Sequence, residues 1–103
     1  MFVLEVVLKN REDYKQQARV LKAMANESRL LIIDRLSEGE CSAGELTALV
    51  RSDASTVSKH LTVLRSQGIV EDRRVGTTVY YRLLMPCALK FLACATQVLN
   101  KRA

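Results

Sequence analysis

The chain has 103 residues with a formal net charge of +5, and 49% of the residues are hydrophobic and 26% charged. This length and composition fit one globular domain and argue against a disordered chain. The excess of lysine and arginine favours a polyanionic partner, because these side chains displace the counterions condensed on nucleic acid.

The sequence also bears on the compartment. No apolar run approaches the roughly 20 residues of a membrane-spanning helix, and Met1–Leu8 is too short for a signal peptide and lacks a basic start. We therefore expect a cytoplasmic protein with no membrane partner. Its three cysteines, Cys41, Cys87 and Cys94, are widely spaced and odd in number, which fits a reducing compartment better than a disulfide framework.

The first two predicted helices follow from periodicity and capping. Apolar side chains recur at helical spacing over Arg11–Met24, which predicts an amphipathic helix. Asn26 is a good N-cap for a second helix, which extends through Leu36 and ends before a turn at Gly39. The sequence leaves open whether Met1–Asn10 forms a strand, extends the first helix or frays.

The next two predicted helices are separated by a tight turn. Ser42 and Glu45 have the spacing of a capping box, in which each side chain bonds the other's backbone amide, so the third helix begins there. Arg51-Ser52-Asp53 is the turn, and either Ser52 or Asp53 can cap the fourth helix. That helix buries an apolar face made of Val57, Leu61 and Leu64.

In the last third of the chain the residue pattern changes from helical periodicity to β-strand character. Ile69–Arg73 and Thr78–Leu83 are rich in β-forming residues and flank Gly76, which predicts a hairpin. Pro86 suits the first turn of a helix because its φ is fixed, so a last helix is predicted over Pro86–Asn100. The expected fold class is therefore mainly α with a β-hairpin wing, in the order α-α-α-α-β-β-α, with residues 1–103 forming one domain.

The fourth helix has the chemistry of a helix that reads DNA. The second helix of a helix-turn-helix enters the major groove, where hydroxyls and lysine bond bases or phosphates without adding negative charge. The candidate contacts are Ser55, Thr56, Ser58, Lys59 and Thr62. A plain solvated helix is the alternative interpretation. His60 can contact a phosphate or pack against the core, and its apolar neighbour Leu61 favours the structural role.

The predicted hairpin adds three further candidate DNA contacts, Arg73, Arg74 and Arg82. A basic hairpin directly after a helix-turn-helix is typical of the wing of a winged helix, whose tip lies along the DNA backbone or minor groove. A solubilising turn is the alternative, and Glu71 and Asp72 weaken the local positive field. The sequence contains no phosphate-binding loop, no metal-ligand cluster of recognised spacing and no obvious nucleophile–histidine pair. We therefore do not expect an enzyme.

Two segments resemble the ArsR/SmtB family of winged-helix repressors. Leu21–Leu30 is similar to the motif that opens the family's DNA-binding region, and Ala54–Leu61 to its recognition helix. Other matching positions, in and before the wing, are Leu64, Gly68, Gly76, Tyr80 and Tyr81. The resemblance covers about Val20–Leu83. It implies a homodimer built on the first and last helices that binds a palindromic double-stranded DNA operator. It also implies that an effector relieves repression.

The usual effector sites of that family are not reproduced here. Where many members carry a Cys-Val-Cys site, Cys41 is shifted by one position, and Ser42 and Gly44 replace the expected cysteines. The last helix also lacks the carboxylate and histidine ligands of zinc-sensing members. Cys87 and Cys94 therefore remain as candidate sensor thiols, with Cys41 as a less favoured third ligand.

The spacing of Cys87 and Cys94 limits what they can do. Seven residues apart on one helix, they share a face, but their backbones lie about 10 Å apart, too far for one ion or a disulfide. Antiparallel pairing of two last helices would bring Cys87 of one protomer near Cys94 of the other. Thiolate-bound arsenite is the first choice of effector, with cadmium or mercury also possible.

The sequence is compatible with three alternatives. The thiols can sense an oxidant or a persulfide, or they can be small core residues of the dimer interface. A winged helix with no small effector can also serve protein contacts. No cofactor is expected to be required for folding.

Overall fold

The computed structural model describes residues 10–102. In chain order its elements are α1 (Arg11–Met24), α2 (Glu27–Leu36), β1 (Cys41–Ser42), α3 (Ala43–Val50), α4 (Ala54–Ser66), β2 (Val70–Val75), β3 (Thr78–Leu83) and α5 (Ala88–Arg102). The predicted fold class, mainly α with a hairpin wing, is confirmed. The alternatives for residues 1–9, and the expectation of no signal peptide, lie outside the described residues. Within the described range, no helix is both long and apolar enough to span a bilayer.

The predicted caps define where three of the helices begin. Asn26 precedes α2 and its side chain accepts from the backbone amide of Arg29. Ser42 and Glu45 form the predicted capping box at the start of α3. At α4 the cap is Asp53, whose carboxylate accepts from the amide of Thr56. These side chains satisfy amides that a helix leaves without internal partners.

The core joins α2, α3 and α4 to the sheet. Each element contributes side chains with almost no exposure, among them Ile32, Ile33, Leu46, Val57, Leu61, Leu64, Ile69 and Val70. The three predicted apolar residues of α4 all belong to this core. Because close-packed interiors resist rearrangement, α4 is held with one face inward and the opposite face free to meet a ligand.

The sheet contains one strand that the sequence analysis missed. β1 pairs antiparallel with β3, with Cys41 opposite Tyr81 and Ser42 opposite Tyr80, so the strand order is β1-β3-β2. A strand of two residues is too short to show the alternation of apolar and polar residues that predicts a strand, so β1 is recognised only by its pairing with β3. The predicted order lacking β1 was therefore incomplete. β2 also extends two residues beyond its predicted end, because Val75 pairs with Thr78.

The predicted start of the last helix was two residues too early. The amides of Ala88 and Leu89 bond carbonyls three residues back, at Met85 and Pro86, which is a tight turn rather than an α-helix. Pro86 therefore lies in the turn before α5, where its fixed φ is equally acceptable. The helix also continues past Asn100 to Arg102.

Replacing Leu64 by alanine is expected to lower the free energy of unfolding by about 2–5 kcal/mol, since a fully buried side chain leaves a cavity. The exposed Thr62→Ala variant of the same helix serves as the control and should change stability by less than about 0.5 kcal/mol. Urea unfolding at fixed protein concentration measures both. Equal stability of the two variants would contradict the position of Leu64 in the core.

Candidate nucleic-acid interface

The outer face of α4 brings together most of the predicted DNA contacts. Ser55, Ser58, Lys59 and Thr62 are exposed, and their spacing of three or four residues places them on one side of the helix. Thr56 is half-buried, so it lies towards the edge of this face. We call Ser55, Thr56, Ser58, Lys59 and Thr62 the α4 polar face. It presents hydroxyls and one cation on the side opposite the core.

The N-terminus of α4 is held by Asp53. Its Oδ1 accepts from the amide of Thr56 at 2.7 Å and from the hydroxyl of Ser55 at 2.9 Å. The hydrogen bond from the Thr56 amide, supported by the Ser55 hydroxyl, holds the pKa of Asp53 below its ordinary value. Asp53 therefore stays ionised at neutral pH, and it orients Ser55 at the end of α4 that enters the groove in a helix-turn-helix.

His60 links α4 to the first two helices, α1 and α2. Its Nδ1 accepts from Nε of Arg29 at 3.1 Å, and the same guanidinium donates through Nη1 to the carbonyl of Ala23 at 3.3 Å. Burial lowers the pKa of His60, and the charge of Arg29 lowers it further. A neutral imidazole that accepts from arginine has a structural role, as the sequence favours. The role of Arg29 was missed, although it lies within the Leu21–Leu30 motif.

The register of the hairpin separates the three wing arginines. Arg73 lies opposite Tyr80 and Arg82 opposite Glu71, whereas Arg74 lies opposite Val79. Because neighbouring residues of a strand point to opposite faces, Arg73 and Arg82 share one face of the sheet and Arg74 lies on the other.

Arg73 and Arg82 both have carboxylate partners. Arg73 donates to both oxygens of Glu40, at 2.6 and 3.1 Å, and its guanidinium lies 5.2 Å from the ring centroid of Tyr80. The hydrogen bond from Arg73 holds the pKa of Glu40 below its ordinary value. Arg82 pairs with Glu71. These four side chains enclose a small groove on the outer face of the wing, where the net charge is neutral.

Arg74 is the wing arginine with an unpaired charge. Its side chain is exposed, and among residues 10–102 no carboxylate lies within ion-pairing distance of it. Asp72, on the same face, is already paired with Arg65 at 2.9 Å. Arg74 can therefore meet a phosphate without giving up a protein partner.

The three cysteines lie in different environments. Cys41 in β1 is buried, and burial raises the pKa of its thiol, with the nearby Glu45 carboxylate adding to the rise. Cys87 and Cys94 are exposed, the first in the turn before α5 and the second within it. Within the described range, no three histidine, cysteine or acidic side chains are grouped to hold a metal ion.

The first and last helices expose apolar side chains. Leu21 of α1 is 48% exposed, and Phe91, Val98 and Leu99 of α5 are between 54 and 59% exposed. Phe91, Val98 and Leu99 lie on one side of α5 by their spacing, while the buried Ala88 anchors the start of that helix. Such grouping of large apolar side chains on a surface is typical of a protein interface.

Comparison with known proteins connects this architecture to a family. The family described as "Bacterial regulatory protein, arsR family" matches residues 26–72. Nodulation protein NolR of Rhizobium meliloti is 39% identical over 87 residues, which are 84% of this chain and 71% of NolR. The Biofilm growth-associated repressor of Xylella fastidiosa is 40% identical over 77 residues, 71% of this chain and 68% of that protein.

A solved structure agrees with both relatives. The homodimeric winged helix-turn-helix DNA-binding domain of Mb0332 from Mycobacterium bovis, described as a possible ArsR-family transcriptional regulator, superposes on this chain with a TM-score of 0.75. It is 34% identical, and the match covers 92% of this chain and 90% of that one. The chain therefore belongs to the ArsR family of bacterial DNA-binding transcriptional regulators and is not an enzyme.

Proposed function

We propose that the chain is a homodimeric repressor that binds a palindromic operator through α4 and the wing. The observation that carries this proposal is the α4 polar face, which is held outward by a buried apolar face and lies in the same domain as the unpaired Arg74. Repression is supported by the Biofilm growth-associated repressor among the relatives, whereas another relative is the Transcriptional activator HlyU of Vibrio cholerae, so the sign of regulation needs its own test. Its place of action is the cytoplasm, where a bacterial operator lies.

The proposed dimer rests on the exposed apolar side chains of α1 and α5 and on the homodimeric state of the Mb0332 domain. A two-fold dimer presents two copies of α4, and the symmetry of the operator mirrors that of the protein. The expected half-sites are one helical turn of DNA, about 34–36 Å, or a multiple of it apart.

The wing arginines are expected to contribute unequally to DNA affinity. Arg74→Ala should weaken operator binding by about tenfold, whereas Arg73→Ala should have a smaller effect because Arg73 must first exchange Glu40 for a phosphate. Arg82, paired with Glu71, should resemble Arg73. Fluorescence anisotropy at one salt concentration ranks the three variants. A larger loss for Arg73→Ala than for Arg74→Ala would contradict this assignment.

For the effector we propose a thiol-reactive compound that acts at Cys87 and Cys94, with arsenite as the first candidate and cadmium or mercury as other soft ions. Both thiols are exposed in the single chain, and the proposal requires that the dimer leave them accessible to the effector. Cys87 lies in the turn before α5 and Cys94 within α5, and we place the site between protomers, where Cys87 of one approaches Cys94 of the other. Cys41 is a weak third ligand because its thiol is buried. An oxidant or persulfide acting at the same two thiols is the alternative.

The thiols are expected to differ in reactivity. In native protein, Cys87 and Cys94 should react quickly with Ellman's reagent and Cys41 at least about tenfold more slowly, because Cys41 is buried and burial raises its thiol pKa. Absorbance after mixing follows all three. A Cys87→Ser/Cys94→Ser variant should keep only the slow phase. Fast labelling of Cys41, or an absence of fast thiols in the parent, would contradict the proposed sensor assignment.

Fluorescence anisotropy tests the effector directly. Reduced protein bound to DNA from upstream of its own gene is titrated with arsenite, using Cys41→Ser and Cys87→Ser/Cys94→Ser as matched variants. Release near stoichiometric arsenite in the parent and in Cys41→Ser, but not in the double variant, supports the proposal. An effector that binds the DNA-incompetent dimer better by about 1–3 kcal/mol lowers operator affinity 5- to 150-fold. If tight operator binding does not change on addition of arsenite, arsenite is excluded as the effector, but the proposed repressor function is not contradicted.

A promoter–reporter fusion tests the sign of regulation. Reporter expression should fall when the parent chain is supplied and should stay high with the Lys59→Ala variant. Increased expression with the parent would contradict repression. Binding that depends on salt but shows no sequence preference would instead favour a winged helix used for protein contacts.

A further inference from the structure

A basic cleft lies between α1, α2 and the C-terminal half of α4. It is an open cleft of about 250 Å³, lined by Arg19, Lys22, Ala23, Arg29, Val63 and Gln67. Three of these six residues are cations, and none of these lining residues, all in the described part of the chain, is acidic. Arg19 and Lys22 lie one turn apart on α1 and are exposed.

Arg29 is the most constrained of the three cations. It is half-buried, and its Nε and Nη1 donate to two neutral acceptors, the imidazole of His60 and the carbonyl of Ala23. In the range 10–102, no carboxylate lies within ion-pairing distance of Arg29. A guanidinium has five N–H donors in a fixed fork, so three remain after these two bonds. Arg29 thus keeps an uncompensated charge at the cleft.

The missing counter-charge matters because Arg29 is half-buried and lines the same cleft as two further cations. The three cations line one cleft without an anion, so their like charges repel one another, and the half-buried Arg29 is less well solvated than an exposed arginine. A bound anion would relieve both costs.

We propose that this cleft is a phosphate-binding site. Two guanidinium groups and an ammonium suit the charge and the several acceptor oxygens of a phosphate. The side chains of Ala23 and Val63 add an apolar surface, and the amide of Gln67 adds a further donor. A bare phosphate leaves part of the volume empty, so there is room for the organic part of a phosphorylated compound.

Two sources can supply the phosphate group, namely the backbone of the operator DNA or a small phosphorylated metabolite. The cleft is distinct from the α4 polar face. Gln67 lies eight residues beyond Lys59, about 12 Å further along the helix axis. A metabolite would give the protein a second effector site, whereas the DNA backbone would extend the protein's footprint on the operator.

The sole histidine of the chain provides a local probe. The pKa of His60 is measured by NMR from the imidazole Hε1 signal in sodium chloride and in inorganic phosphate at matched ionic strength. Phosphate beside Arg29 should raise the pKa of His60, since an added negative charge favours the imidazolium. The rise should saturate with phosphate concentration.

Paired variants localise the effect. Arg19→Gln/Lys22→Gln should abolish the phosphate-dependent rise, and Lys101→Gln/Arg102→Gln, which removes the same charge from the end of α5, should retain it. Thermal unfolding of both variants confirms that they fold. A pKa of His60 that is equal in the two salts, or a rise that persists in the cleft variant, would overturn the proposal.

Operator binding distinguishes the two sources. If the DNA backbone occupies the cleft, Arg19→Gln/Lys22→Gln lowers affinity more than the α5 pair and makes log K fall less steeply with log salt, by up to about 2 in slope. If a metabolite occupies it, the two variants bind the operator equally in chloride, while the parent and the α5 variant still show the phosphate-dependent rise in the pKa of His60 and the cleft variant does not. The His60 measurement needs no DNA, so the failure of the proposed repressor function would leave this test standing.

Discussion

Phe91→Glu in α5 is expected to dissociate the dimer and to weaken operator binding by about 10²–10⁴-fold. Phe91 is 57% exposed in the single chain and lies on the apolar side of α5 with Val98, so a charge there would be buried in the proposed interface without a partner. A dimer binds DNA about 10²–10⁴-fold more tightly than a monomer, because once one half-site is bound the second is bound intramolecularly.

Two measurements and one control test this result. Sedimentation gives the oligomeric state, and fluorescence anisotropy gives the affinity for the operator. Gln97→Glu adds the same charge to α5 away from the apolar side, and it should remain a dimer with parental affinity. If Phe91→Glu stays dimeric and binds like the parent, α5 does not form the interface.

Lys59→Ala is the second substitution with a large expected effect. Lys59 is exposed at the centre of the α4 polar face, and losing a contact from a recognition helix costs about 1–3 kcal/mol, or about 5- to 150-fold in affinity. If the contact is to a phosphate, log K should also depend less steeply on log salt, by about 0.9 in slope. A base contact would instead relax sequence preference at one position.

The matched control for Lys59→Ala is Lys101→Ala, which removes the same charge from the end of α5. Circular dichroism should show that both variants keep the helical content of the parent. Equal operator affinity of the two variants over a range of salt concentrations would show that the outer face of α4 does not contact DNA.

Local chemistry explains how much of the fold could be predicted. The caps at Asn26, Ser42 and Asp53 depend on atoms three residues away, and the inner face of α4 follows from helical period alone. β1 could not be predicted, because its two residues become a strand only by pairing with Tyr80 and Tyr81 across the fold. Pro86 is compatible with both a turn and a helix start, so the sequence could not distinguish them.

The candidate DNA-binding site also has a part that could be predicted from the sequence and a part that could not. Residue types and spacing predicted which side chains of α4 could face DNA, since a helix fixes the direction of each one. The partners of the wing arginines were not predictable, because Glu40 is 33 residues from Arg73 in the chain. The basic cleft was not predictable either, because it forms only when α1, α2 and the end of α4 pack together.

The most direct test of the account is the affinity of the reduced protein for DNA from upstream of its own gene, compared with a scrambled duplex of equal length at physiological salt. We predict that the upstream DNA binds about 10³-fold tighter or more, that the site is a palindrome, and that one dimer occupies it. Equal affinity for both duplexes would contradict the claim that α4 and the wing recognise an operator.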